Sequence, residues 1–267
     1  MRFGCCLNMI ARGADGTGIE FLEQLASYGY DYVELPLAQM MDLSSGEFED
    51  LKNRVEKSGV NCEVCNNFFP TNYRLTGPDA DMGTNLKYAA EALKRAQELG
   101  VEYVVFGSGP AKNVPEGFSM EEGYQQVVSL LRQVNDIAHD LDITIVIEPL
   151  RSQECNLINS FSEGCRLARD VDGENVKVLV DFYHLTEERE PVEHLLKEGC
   201  AYLRHVHFAR PDGRVYPESI EEENYQPFID TLKAISYDGR VSCEAYTDDY
   251  ARSAPKALAF FEKYFNL

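Results

Sequence analysis

Eight times along this chain a short apolar run gives way to a longer amphipathic one, and that steady alternation limits the fold more than any single residue does. The strand-like runs are Phe3–Asn8, Tyr32–Leu37, Asn61–Phe69, Tyr103–Ser108, Ile143–Leu150, Val176–Tyr183, Leu203–Ala209 and Arg240–Tyr246. Helix-period segments follow them at Ile19–Tyr28, Gly46–Ser58, Asn85–Leu99, Met120–Leu141, Ser160–Val171, Pro191–Gly199, Tyr225–Ile235 and Ser253–Tyr264. In the third helix Leu86, Ala89, Ala90, Leu93 and Ala96 share a face, and Gly100 stands where a helix-ending glycine belongs.

Parallel strands need crossovers, and eight βα units of about 30 residues suit an α/β fold closed into one (β/α)8 TIM barrel spanning residues 1–267. A doubly wound open sheet is the competitor. It would be favoured by a glycine-rich phosphate loop after the first strand, but Gly13, Gly16 and Gly18 do not keep the G-x-G-x-x-G spacing.

Each of the last four strands carries a residue of metal-ligand type near its C-terminal end: Glu148, Asp181, His207 and Glu244. In a barrel these strands are neighbours, and chemistry sits at that face. Alternation supports the grouping. An inward Glu148 takes Val146 and Thr144 with it and leaves Ile143, Ile145 and Ile147 facing the helices; an inward Glu244 pairs with Ser242, and an inward His207 with His205. Three carboxylates brought together without a cation would repel until one took up a proton. Three oxygen donors and one imidazole suit Mn²⁺, with Mg²⁺ or Co²⁺ as alternatives, better than a thiolate-rich zinc site.

Other residues read more quietly. His205 is expected to be a buried, hydrogen-bonded interior residue, and His139 and His194 to lie on helix surfaces. His184 stands just beyond the sixth strand and Glu154 six residues past Glu148, where either could reach a ligand above the ion. Cys62 and Cys65 form a C-x-x-C pair inside a strand, with no second ligand pair at zinc spacing, so they are expected to be structural. Phe68, Phe69, Tyr183 and Tyr246 could wall a ligand pocket or simply pack the rim.

With 45 acidic against 25 basic residues and a net charge of −20, the chain is a poor candidate for an extended nucleic-acid surface. It shows no signal-like segment and no run long enough to span a membrane, and its eight cysteines are too sparse for a disulfide scaffold. A cytoplasmic protein acting on small molecules is the expectation.

In GYDYVELPL, IVIEPL, DFYH, HVHF and SYDGRVSCEAY the chain resembles the xylose isomerase-like TIM-barrel superfamily, and within it the ketose 3-epimerases acting on tagatose and psicose. The resemblance implies that Glu148, Asp181, His207 and Glu244 bind the divalent metal. It also implies that Glu148 and Glu244 exchange a proton across an enediolate, one removing it and the other returning one to the opposite face. It places Glu154 and His184 on substrate hydroxyls, with a family arginine matching Arg214 loosely and Arg210 as its rival. A homodimer or homotetramer is the implied assembly.

The match has departures. After Glu148 the chain reads Pro-Leu-Arg-Ser-Gln where the family tends to carry Asn-Arg, and His207 is followed by Phe-Ala-Arg-Pro-Asp-Gly-Arg rather than an acid, a basic pair and a Pro-Gly-rich loop. An altered sugar pocket is therefore expected. Aldose–ketose or hydroxypyruvate isomerisation, inosose dehydration or keto-glycoside cleavage would use the same metal and base, though His207 argues against the hydroxypyruvate type. A non-catalytic sugar-binding protein would not need both glutamates. AP endonuclease chemistry would need more histidines and a basic groove.

Overall fold

The computed structural model describes residues 1–266. Its strands are β1 (Arg2–Cys6), β2 (Tyr32–Pro36), β3 (Asn61–Asn66), β4 (Tyr103–Phe106), β5 (Thr144–Ile147), β6 (Val176–Asp181), β7 (Leu203–Phe208) and β8 (Arg240–Cys243). They pair in sequence order, and β8 closes on β1 to complete a parallel barrel. The expected (β/α)8 architecture is what forms.

Most strands end two or three residues earlier at the C-terminal side than the apolar runs suggest. The chain leaves the ladder where side chains must reach over the mouth: Asn67 and Ser108, just past β3 and β4, adopt left-handed φ values of 51° and 43°. The long helix Met82–Glu98 starts before the expected Asn85 because the Asp81 carboxylate accepts the Thr84 N–H at 2.7 Å. Gly100, φ 77°, ends it as expected. Capping boxes at Ser44/Glu47 and Ser160/Glu163 open two further crossover helices. Short helices at Leu37–Asp42, Gly109–Lys112 and Phe182–Glu187 lie beyond β2, β4 and β6 and carry no long apolar stripe that would reveal them in the sequence.

Two apolar clusters result. The larger lies between barrel and helices and includes Ile145, Ile147, Val206, Phe208, Val241 and Cys243; the smaller, Tyr32, Val64, Val105, Val146 and Leu179, fills the barrel itself. Inward and outward faces of β5, β7 and β8 thus fall as alternation requires. At the opposite end from the mouth, Glu63 is gripped by Arg2 and Arg240, and Arg240 also covers the Tyr103 ring. Cys62 and Cys65 are buried free thiols of the outer cluster, as a structural role demands. Among the described residues no helix is long and apolar enough to cross a membrane.

Candidate active site

The four strand-end residues meet. Asp181 closes β6 and His207 lies near the end of β7, while Glu148 and Glu244 follow β5 and β8, each still tethered by its N–H to the preceding strand, at Phe106 and Phe208 (both 3.1 Å). One donor atom from each lies within 4.8 Å of every other, and all four residues are buried. Glu148 owes its place to Gly107: a Cβ there would stand 2.2 Å from Glu148 Oε2. Its carbonyl also accepts the Nζ of Lys112, a wholly buried amine, at 3.1 Å.

Glu34, on β2, is the residue that sequence reasoning passed over. Completely buried, it accepts His207 Nε2–H at 2.9 Å, His205 Nε2–H at 3.0 Å and the Ser242 hydroxyl at 2.6 Å. Its hold on Nε2 turns Nδ1 of His207 towards Glu148 and Glu244, each 3.1 Å away. A carboxylate in this position decides which ring nitrogen carries the proton, the arrangement that metal-binding histidines use. Alternation in Tyr32-Val33-Glu34 carried the signal, since Glu34 faces inward by the same count that turns Leu35 outward. His205 is the buried, bonded interior residue expected, His139 is exposed, and His194 is half-buried against Glu190.

Arg214 enters from the loop after β7. Arg210 and Val215 exchange backbone hydrogen bonds of 2.8 and 3.2 Å, and between them Gly213 and Arg214 both take left-handed φ values, 79° and 49°. That uncommon conformation for an arginine sends its guanidinium to Asp181 Oδ2 (3.0 Å), to Glu244, and over the Tyr183 ring at 4.7 Å. Of the two arginines of this loop, Arg214 reaches the quartet; Arg210 lies outside it, 3.8 Å from Glu222. His184, on the turn after β6, accepts the Arg151 N–H on Nδ1 at 3.3 Å and faces Asp181 with Nε2 at 3.5 Å. Glu154 is held by Arg151 at 2.6 Å.

Burial and neighbours set the charges. Burial, aided by Glu244, pushes Asp181 up to about 7 despite Arg214, and raises Glu148 as well. Burial also opposes charge on Glu244, but His207 and Arg214 hold it down to about 2. His207 is raised because Glu244 and Glu34 outweigh its desolvation, whereas burial and Arg214 push His184 down to about 3 and keep it neutral. A carboxylate forced towards neutrality beside two others signals a centre short of positive charge. The donor set answers what a divalent ion needs: ligands around a small ion at about 2.1 Å stand about 3.0–4.2 Å apart, and the donor atoms of these four side chains lie within 4.8 Å of one another.

Above the quartet opens a cavity of about 640 Å³, walled by Glu154, His184, Arg214, Phe69, Ser108 and Tyr246 among others. Phe69 and Tyr246 therefore face it. Phe68 packs in the outer core instead, and Tyr183 lies between the guanidinium groups of Arg151 and Arg214.

Fold and site together define a (β/α)8 barrel with a carboxylate–histidine centre, able to hold a metal ion, at its C-terminal mouth. The chain belongs to the xylose isomerase-like TIM barrel family, whose sequence profile matches residues 22–264. Among curated relatives, D-psicose 3-epimerase of Ruminiclostridium cellulolyticum is 24% identical over 234 residues, covering 85% of this chain and 77% of that protein. The solved D-psicose 3-epimerase of Clostridium cellulolyticum with D-tagatose superposes with a TM-score of 0.86 at 21% identity over 100% of both chains. A 3-keto-D-glucoside 4-epimerase from Escherichia coli gives 0.80 at 18% identity over 98% of this chain and 99% of that one. These three are sugar epimerases; at such identities the structural likeness speaks for the fold.

Proposed function

We propose that the chain is a metal-dependent sugar epimerase that moves a proton on the carbon next to a carbonyl, with ketose 3-epimerisation as its reaction. One observation carries the reading: Glu148 and Glu244, from strands separated by β6 and β7, converge on the same imidazole nitrogen while both line one cavity. Inversion needs a base on one face of a planar enediolate and an acid on the other. Glu148 and Glu244 would take those two positions, one removing the proton and the other returning one to the opposite face.

Glu148, Asp181, His207 and Glu244 would hold the ion, Mn²⁺ by preference and Mg²⁺ or Co²⁺ otherwise, which supplies Lewis-acid polarisation of the carbonyl. Arg214 brings a fixed positive charge to the developing oxyanion, and its Nε, buried without a hydrogen-bond partner, is a further donor. His184, neutral and presenting Nε2–H, and Glu154 complement substrate hydroxyls as donor and acceptor. The buried free thiols fit a reducing, cytoplasmic setting, and a homodimer or homotetramer is the working assembly, which sedimentation would check.

Replacing Glu244 with Gln keeps the shape of the site and removes the exchanging carboxylate. In D₂O with Mn²⁺ and a ketose, the wild type should place deuterium on the carbon beside the carbonyl and the variant should not. Equal labelling by both would defeat the assigned role.

A further inference from the structure

The main cavity does not stand alone. Met9 and Tyr246 wall it on one side and, on the other, a second pocket of about 560 Å³. A cavity of about 300–1,000 Å³ already accommodates a drug-sized ligand, so the catalytic cavity is ample for one sugar ring and the second pocket is additional room. Tyr246 stands between them with 51% of its surface exposed, a flat amphipathic ring offered to solvent on the divide.

The chemistry of the second pocket is mixed. Arg210 and Arg12 supply planar donors; Arg210 is half-buried with only a 3.4 Å bond to the Asp212 carbonyl and the distant Glu222, and Arg12 meets the Asp248 carbonyl at 3.2 Å. Glu218, whose carboxylate is paired with Lys256 at 2.6 Å, and Asp248 also line the space. A phosphate or carboxylate ligand would be opposed by those acids. A neutral ring bearing hydroxyls, which both donate and accept, is served by donors, acceptors and an aromatic face together.

The backbone joins the two pockets. The ladder between Arg210 and Val215 hangs Arg214 into the first and Arg210 into the second, and Tyr246 N–H is bonded to the Arg214 carbonyl at 2.8 Å. We propose that this cleft takes a keto-sugar in glycosidic linkage, its reacting ring over the quartet and a second, hydroxyl-rich ring against Tyr246, Arg210 and Arg12. The proposal rests on the proton-transfer reading above and names its substrate class.

The test compares D-fructose with isomaltulose and maltulose, two ketoses that carry a glucosyl ring on different carbons, in D₂O with the Mn²⁺-loaded protein. Deuterium incorporation should show kcat/KM at least about tenfold higher for one of the glucosylated ketoses, the scale of one or two hydrogen bonds to a charged group. In Arg210→Ala, which leaves the backbone ladder in place, that ratio should fall about tenfold. Equal rates for all three sugars, or a ratio that survives in the variant, would overturn the second subsite and leave proton transfer standing. If no sugar exchanges, the proton-transfer reading for ketoses fails, and calorimetry decides the subsite separately. Isomaltulose binding more tightly than fructose, and weakened in Arg210→Ala, supports it; equal affinities refute it.

Discussion

Glu34→Gln separates the charge of the buried carboxylate from its shape. The amide oxygen can still accept His207 Nε2–H, and the amide nitrogen can donate to His205 if that ring moves its proton to Nδ1, an atom buried without a partner. The variant should therefore fold. A hydrogen bond to an ion stabilises by about 1.5–3 kcal/mol and a neutral one by about 0.5–1.5, so the His207 contact weakens by about 1–1.5 kcal/mol and the ring becomes a poorer base. Outer-sphere changes of this kind lower metal affinity about 10–100-fold, or about 1.4–2.8 kcal/mol. Titration calorimetry with Mn²⁺ reads this directly, and thermal unfolding of the metal-free protein controls for folding. Glu34→Ala should behave differently: it strands two imidazole N–H groups and a hydroxyl in the barrel, a loss of about 3–5 kcal/mol that lowers Tm by about 2–4 °C per kcal/mol. A Gln variant with wild-type Tm and a Mn²⁺ Kd within twofold of wild type would refute the argument that Glu34 tunes His207.

Gly107→Ala puts a methyl group 2.2 Å from Glu148 Oε2 and should cut kcat about 100-fold by displacing that carboxylate; a steady-state assay with near-normal kcat would count against the close fit. Mn²⁺ binding should release protons, because Asp181, near 7 in the metal-free protein, and the raised His207 must both give theirs up. Affinity should then rise with pH through 7 and weaken by about tenfold per released proton for each unit below it, whereas a Kd unchanged between pH 6 and 8 would contradict this. Joint replacement of Cys62 and Cys65 by Ala should leave metal stoichiometry and turnover intact, as elemental analysis and a rate assay would show.

The quartet was readable because each member combines two simple signals, a strand-end position and an inward parity, and because consecutive βα units make their strands neighbours. Glu34 lacked the first signal. It sits within β2, and its partners His205 and His207 lie 171 and 173 residues away, a closeness that only barrel closure creates. Cys62 and Cys65 reveal another limit: three residues apart, they should face opposite ways, but a register shift between β2 and β3 puts both in the outer core. Such an irregularity has no sequence signature. The choice between Arg210 and Arg214 likewise turned on one left-handed residue, whose cost is met by the ladder around it rather than by the arginine itself.

The hydrogen-bonded column inside the barrel has a consequence for timing. Tyr32 is bonded to Ser242 and Ser242 to Glu34, which also holds both imidazoles, so the His207 ring cannot turn without breaking a buried bond. Its rotational freedom is surrendered when the chain folds, and an ion bound at the quartet would meet a ring already still.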